Sequence, residues 1–311
     1  MRVGRLRKAP KVIFIIGPTA IGKTGLAVKL AGKMRGEIIS CDSMQIYKGL
    51  DMLSQAPSGI ERKSVRHHLV GLIGPDKEYS AAIFITRAVP IIKSVIKRGK
   101  TPIVVGGSGL YAKALIDGLF PSPAADLGFR ARLERSAARR GPAKLHERLV
   151  RIDPESASRI HPNDARRIIR ALELFHSTGR TMTELKSATK GLSAVYDVDL
   201  FGLTASRASI YSRIDSRVDR MFADGVVAEV RKLARRKLSK TSRSALGIKE
   251  ITGYLRGEYG PDEAGDLLKT NTRHFARRQL AWFRRDKRIK WFDVTRSTEA
   301  GIIKNIMKKA R

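Results

Sequence analysis

The sequence predicts an α/β fold, a P-loop doubly wound parallel sheet with an inserted small helical domain. Three local observations carry the core of this reading. Val12-Ile13-Phe14-Ile15-Ile16 is an unbroken apolar run rich in β-branched residues, the pattern of a strand buried on both faces. Gly17-Pro18-Thr19-Ala20-Ile21-Gly22-Lys23-Thr24 follows at once and fits the phosphate-cradling pattern G-x-x-x-x-G-K-[ST] at every fixed position. Gly25-Leu26-Ala27-Val28-Lys29-Leu30-Ala31 then places apolar residues at helical spacing. Strand, glycine loop and helix in this order are the context the motif requires.

The remaining elements follow along the chain. Residues 37–41 read as a second strand, and residues 79–97 as a helix that Pro90 should kink. Pro102-Ile103-Val104-Val105 is a third buried strand. It ends in Gly106-Gly107-Ser108-Gly109, and Leu110-Tyr111-Ala112-Lys113 opens another helix. Ligand loops at the C-terminal ends of alternating strands are the hallmark of a doubly wound sheet. The texture changes near Pro121-Ser122-Pro123, and residues 124–190 show helical periodicity with little strand signal. Asn163-Asp164 caps a helix over 165–176 that Gly179 closes. Arg166, Arg167 and Arg170 cluster within a turn of it, with Ile168, Leu172 and Phe175 on the other side. Leu200-Phe201-Gly202-Leu203 reads as a return strand, and the chain is helical and basic from Ile210 to near its end. The expected division is therefore 1–120 with 200–311 as the core, and 121–199 as the insertion.

Composition narrows the function. The 311 residues are 42% hydrophobic, enough for a sizeable core. Lys and Arg number 62 against 29 Asp and Glu, a formal net charge of +33 spread along the chain. A polyanion larger than a nucleotide is the expected partner, with nucleic acid leading; a proteome basic throughout is the alternative. Cys41 is the single cysteine, so no internal disulfide forms, and a cytoplasmic setting is expected. No apolar stretch is long enough to span a membrane, and the basic N-terminal residues do not read as a signal sequence.

The chemistry begins in the loop. Its glycines let backbone N–H groups converge on phosphate oxygens, the helix N-terminus adds partial positive charge, and Lys23 adds a full one. The Thr24 hydroxyl suits Mg²⁺. Asp42, just after the second strand, would face this loop across the sheet edge. It could hold Mg²⁺ through water, accept a proton from a nucleophile, or simply form an Asx-turn. His67-His68 has no acidic or cysteine partner at ligand spacing, so a metal site is not expected there. Trp282 and Phe283 fit a buried stripe better than a base-stacking surface, and Cys41 reads as a small strand-end residue.

An ordered set of motifs resembles the tRNA dimethylallyltransferase family. It comprises the loop with Pro18-Thr19 inside it, Asp42-Ser43-Met44-Gln45-Ile46-Tyr47-Lys48-Gly49-Leu50-Asp51, His67-His68-Leu69 and Val105-Gly106-Gly107-Ser108-Gly109-Leu110-Tyr111. His161-Pro162-Asn163-Asp164 with Arg167 and Arg170, and Arg277-Arg278-Gln279-Leu280-Ala281-Trp282-Phe283-Arg284, complete it. The likeness spans residues 11–292. It implies transfer of a dimethylallyl group from dimethylallyl diphosphate to N6 of the adenosine just 3′ of the anticodon, in tRNAs reading codons that begin with U. It implies Mg²⁺ on Thr24, a base at Asp42, and a diphosphate-contacting arginine, best matched by Arg217 with Arg213 as its neighbour one turn away. It assigns tRNA contacts to Asp42, Ser43, Met44, Gln45, Ser108 and Arg130, to Arg166, Arg167, Ile168, Ile169 and Arg170 of the insertion, and to Ser242 and Gly247. The partners implied are the anticodon stem-loop and the prenyl donor, with a monomer expected. The chain departs from the family pattern at Ser108 (usually Thr), Ile248 (usually aromatic), Ile83 (often acidic) and Leu53-Ser54-Gln55 (usually Gly-Thr-Ala). None of these touches the phosphate loop, Asp42 or Arg217.

Other classes share parts of this pattern. A small-molecule kinase would use the loop for ATP without needing the basic surplus. An adenylate prenyltransferase would share loop and base but lack the arginine-bearing insertion. A non-catalytic RNA-binding protein would not need Lys23, Thr24 and Asp42 together.

Overall fold

The computed structural model describes residues 9–120, 123 and 126–310; the basic residues 1–8 and the Pro121-Ser122 step lie outside them. Six strands are present among the described residues: β1 (Lys11–Ile16), β2 (Gly36–Ser40), β3 (His67–His68), β4 (Thr101–Gly106), β5 (Asp197–Thr204) and β6 (Lys290–Asp293). They form one sheet in the order β3-β2-β4-β1-β5-β6, and every pairing is parallel. The unbroken apolar runs follow from this arrangement, because helices cover both faces. Side chains alternate along β1. Val12, Phe14 and Ile16 pack with Ile39, Val104 and residues of the Ala81–Lys97 helix such as Phe84 and Ile92. Ile13 and Ile15 pack on the opposite face, with Ile103, Leu30 of the Lys23–Met34 helix and Ile214 of the Arg207–Ala223 helix.

Two strands were not expected. β3 has two residues, and β6 lies in the stretch read as helical beyond Ile210. Both are short edge strands, β3 beside β2 and β6 beside β5. Too few residues show an alternating pattern for periodicity to reveal either. The Ala81–Lys97 helix continues through Pro90. Pro90 and Thr86 lie on the exposed side of the helix, where water can replace the donor that proline removes.

The chain divides into two compact units. One holds the sheet and takes residues 9–116 and 192–310; the other takes the described residues of 117–191. Residues 192–199, expected in the insertion, lie with the sheet, because Leu192 is buried in its core and Asp197 opens β5 opposite Lys11. The second unit is helical, with a core that includes Phe129, Leu133, Leu149, Ile168 and Leu172. Asp164 caps its Ala165–Thr178 helix by accepting a bond from the Arg167 amide at 3.1 Å, and left-handed Gly179 closes it.

Glu37 shows how the lower part of the sheet is held. Its carboxylate is 1% exposed and accepts from His68 Nε2 at 2.7 Å, Arg98 Nη2 at 2.7 Å and Lys100 Nζ at 2.8 Å. Burial works to raise its pKa, but the bonds from Lys100 and His68 and the Arg98 charge outweigh it and bring it down to about 2. Glu37→Gln is expected to destabilise the protein by about 2 kcal/mol, the scale of a hydrogen bond to a charged group. A stranded buried charge would cost about 3–5 kcal/mol, but here Arg98 and Lys100 are free to return to water. Because the folded pKa is depressed, this contribution is present above pH 4.5 and is lost as pH falls towards 2. Denaturant midpoints of wild type and Glu37→Gln should therefore differ near neutrality and converge in acid.

Candidate active site

Three neighbouring strands deliver the site. Ile16 of β1 pairs with Gly106 of β4, and Ser40 of β2 pairs with Val105. The loops after β1, β2 and β4 therefore leave the sheet side by side. Gly106 makes this approach possible, since a Cβ there would collide with the Cys41 carbonyl. The Cys41 amide in turn donates to Val105 O at 2.7 Å, which fixes where Asp42 emerges.

Gly22 precedes the Lys23–Met34 helix in a left-handed conformation and offers no side-chain cap. The first helical amides lack intrahelical acceptors, so they point their N–H groups outward as a positive pole. They face a cavity of about 310 Å³ lined in part by Thr19, Lys23, Thr24, Ser40, Asp42 and Arg217. Lys23 Nζ donates to Pro18 O at 2.6 Å. Burial, against the pull of Asp42 and with the repulsion of Arg217, pushes its pKa down to about 8.

Asp42 forms one of the arrangements the sequence left open, the Asx-turn, and does so at the cavity wall. Its Oδ1 accepts from the Met44 amide at 2.8 Å. Burial raises its pKa, although the Met44 and Gln45 amides and the Lys23 and Arg217 charges oppose this. A carboxylate raised in this way is a better proton acceptor than a free one. Arg217 comes from the Arg207–Ala223 helix and donates from Nη1 to Thr19 Oγ1 at 2.7 Å. Burial, then the neighbouring Arg220 charge, lowers its pKa to about 10 despite Asp42, so it stays cationic near neutrality. Arg213, the rival candidate, is exposed.

A second cavity, of about 350 Å³, meets the first at Thr19, Asp42 and Arg217. Its far wall is largely apolar, with Met44, Leu53, Val218, Met221, Leu268 and Phe275. A polar chamber with a cationic rim thus opens, past one carboxylate and one guanidinium, into an apolar one.

The family model for IPP transferase matches residues 45–286, and that for isopentenyl transferase matches residues 10–71. A tRNA dimethylallyltransferase of Carboxydothermus hydrogenoformans is 45% identical over 302 residues, covering 96% of this chain and 97% of the relative. The chain belongs to the tRNA dimethylallyltransferase family. A tRNA dimethylallyltransferase of Thermotoga maritima is 42% identical over 96% of this chain and 97% of its own. The crystal structure of a full-length tRNA isopentenylpyrophosphate transferase from Bacillus halodurans aligns with a TM-score of 0.71 at 38% identity, covering 96% of each chain. A eukaryotic dimethylallyltransferase captured acting on tRNA aligns with a TM-score of 0.78 at 28% identity, over 97% of this chain and 78% of that one.

Other residues of this dimethylallyltransferase-family chain divide into framework and open surface. Ser108 Oγ accepts from the Ser43 amide at 3.1 Å, and Gln45 bonds Ser40 Oγ at 2.7 Å and Gln55 O at 3.0 Å. Both hold the loop that carries Asp42, whereas Met44 lines the second cavity directly. Ser242 is fully buried and donates to Pro75 O at 2.6 Å, and Gly247 is a buried helix cap that donates to Glu250 at 2.9 Å. These two are framework rather than RNA-facing surface; Arg243 and Ser244 between them are exposed.

In the helical unit, Arg166 and Arg167 are exposed. Ile168 and Ile169 are buried in the core, so their side chains are not available to RNA. Helical geometry gives the reason: the residues that follow Arg167 turn onto the apolar face. Arg130 and Arg170 both bind the buried Glu173, at 2.8 Å and 2.6 Å. Burial works to raise the Glu173 pKa, but the two arginines hold it below the usual range. Glu173 was not singled out in the sequence, although it is an acid on the apolar side of its helix.

Two further residues escaped sequence reasoning. Glu229 accepts from the Met52 and Leu53 amides at 2.9 and 3.0 Å, fixing the segment whose Ser54 and Gln55 line both cavities. Gln279 joins the phosphate loop to the turn after β4. Its signal was present: it lies on the buried stripe of the Pro261–Phe283 helix with Thr272, Ala276 and Phe283. Trp282 packs partly buried against the core. His68 is engaged by Glu37, and no group of three or more His, Cys, Asp or Glu suited to a metal occurs among the described residues. Cys41 is buried, and burial raises its thiol pKa.

Proposed function

We propose that this chain transfers a dimethylallyl group from dimethylallyl diphosphate to N6 of the adenosine just 3′ of the anticodon. The observation that carries the reading is the junction of two unlike cavities at Thr19, Asp42 and Arg217. The diphosphate suits the helix amides, Lys23 and Arg217; the five-carbon chain and the adenine suit the apolar chamber. The bond from N6 to C1 forms as the C1–O bond breaks. Its electron pair leaves with the diphosphate, and the N6 proton passes to Asp42. The adenosine must leave its stack to reach this point. Mg²⁺ fits the donor set: Thr24, which lines the polar cavity, carries a hydroxyl, and the diphosphate would supply further hard oxygens. Bound there, it would screen the leaving group's charge.

The basic surplus supports an RNA substrate, and the exposed Arg166 and Arg167 are the proposed phosphate contacts. Replacing both with alanine is expected to weaken anticodon stem-loop binding and to lower the slope of log K against log salt by about 1–2, close to one per phosphate contact. Titrations at several salt concentrations check this. A monomer working in the cytoplasm is part of the proposal; among the described residues no helix is long and apolar enough to cross a membrane.

The deciding assay offers purified protein a prenyl-labelled donor with undermodified tRNA, and in parallel AMP and ATP. The reading predicts label in tRNA, on N6 of that adenosine. Label in AMP, or transfer of a phosphoryl group from ATP to a small molecule, would contradict it.

A further inference from the structure

We infer that Gln279 is a positioning residue whose amide clamps the phosphate loop to the turn after β4 and so sets the distance between the leaving-group cradle and Asp42. The inference rests on the reaction proposed above. Gln279 is 7% exposed. Its Oε1 accepts from the Thr19 amide at 2.8 Å, and its Nε2 donates to Gly107 O at 2.9 Å. The amide orientation is fixed by chemistry, because one neighbour only donates and the other only accepts. Gly107 is needed for the fit, since a Cβ there would collide with Gln279 Nε2.

Each end of the clamp continues into the site. Thr19 also receives Arg217 Nη1 on its hydroxyl at 2.7 Å. Beyond Gly107, Ser108 Oγ accepts from the Ser43 amide at 3.1 Å, and Ser43 follows Asp42. One side chain therefore stands between Arg217 with the phosphate loop and the segment that carries the base. The clamp also occupies the Thr19 N–H, so the amides left for phosphate are those that follow it, from left-handed Ala20 into the helix.

Reaction geometry is sensitive at this scale: a misplacement of about 1 Å can cost on the order of 100-fold in rate. Gln279→Met keeps the volume and removes both bonds. It is expected to lower kcat by about 10–100-fold, with smaller changes in the KM for donor and RNA. Hydrogen exchange supplies a readout independent of activity: the Thr19 amide is protected in the wild type and exchanges at least about tenfold faster in Gln279→Met.

Gln279→Glu gives a second test, independent of whether the methionine variant folds. A carboxylate keeps the acceptor for Thr19 but sets an oxygen against the Gly107 carbonyl. A protonated acid presents one acceptor and one donor, as the amide does. The ratio of its kcat to that of the wild type should therefore rise as pH falls. Wild-type kcat within about twofold in Gln279→Met, an unprotected Thr19 amide in the wild type, or a pH-independent kcat ratio for Gln279→Glu would overturn the inference. Absence of transfer by the wild type itself would instead sink the proposed reaction and leave the exchange result to judge the clamp.

Discussion

Asp42→Asn is expected to slow prenyl transfer by about 10²–10⁴-fold at saturating substrates, the range for loss of a general base. The substitution is chosen to leave the fold alone. An asparagine oxygen still accepts from the Met44 amide, so the turn at 2.8 Å survives. What disappears is the charge. Donor binding should not suffer, because an anion beside the diphosphate is removed and Lys23 and Arg217 remain to meet it. The predicted signature is a large fall in kcat with donor KM level or lower. A carboxylate serving mainly to hold Mg²⁺ through water would give the opposite signature, a marked rise in donor KM. Burial raises the Asp42 pKa, and only the deprotonated form accepts a proton. Wild-type kcat should therefore climb with pH on the acid side, and Asp42→Asn should lack that limb.

The second large effect is expected at Arg217. Arg217→Ala should lower kcat by about 10²–10³-fold, the scale seen when one preorganised donor to a developing anion is lost. The guanidinium is half-buried, so water and salt screen its charge little. It is also tied to Thr19 Oγ1, so its removal loosens the loop as well as withdrawing charge. Arg217→Lys restores the charge without the fork geometry and should recover only part of the loss. Arg213→Ala supplies the control. It lies one turn away on the same helix but is exposed, and its loss should leave kcat within about twofold. Steady-state kinetics on the three variants, with both substrates varied, separate these outcomes.

The parts of this site legible in the sequence are those built from consecutive residues. β1, the phosphate loop and the Lys23–Met34 helix occupy a single stretch, and each piece has its own local signature. Asp42 was legible because it lies just past the end of a strand, and strand ends in a parallel sheet gather at one edge. The choice of Arg217 over Arg213 rested on resemblance, and burial now separates the two: Arg217 stands beside buried Ile214 and Val218. Illegible were the contacts that join distant segments. Gln279 meets Thr19 across 260 residues, and Glu229 meets Met52 across 177. No local period encodes such pairings; the trace they leave is a polar residue on a largely apolar helix face. Glu173 left the same trace in the helical unit. Ile168 and Ile169 are buried for the converse reason, since a motif carried whole brings its core residues along with its surface ones. β6 was hidden because its four residues include two aromatics between charges and the strand lies at an edge.

In the proposed reaction, the loop before the first helix holds a departing diphosphate rather than a phosphoryl donor. Heavy oxygen placed in the bridge between C1 and the α-phosphorus of dimethylallyl diphosphate tests it most directly. Mass spectrometry of the products after turnover with the RNA should find the heavy atom wholly in the released diphosphate. Retention of that atom on the five-carbon unit would mean that the phosphorus–oxygen bond had broken, and would contradict the account.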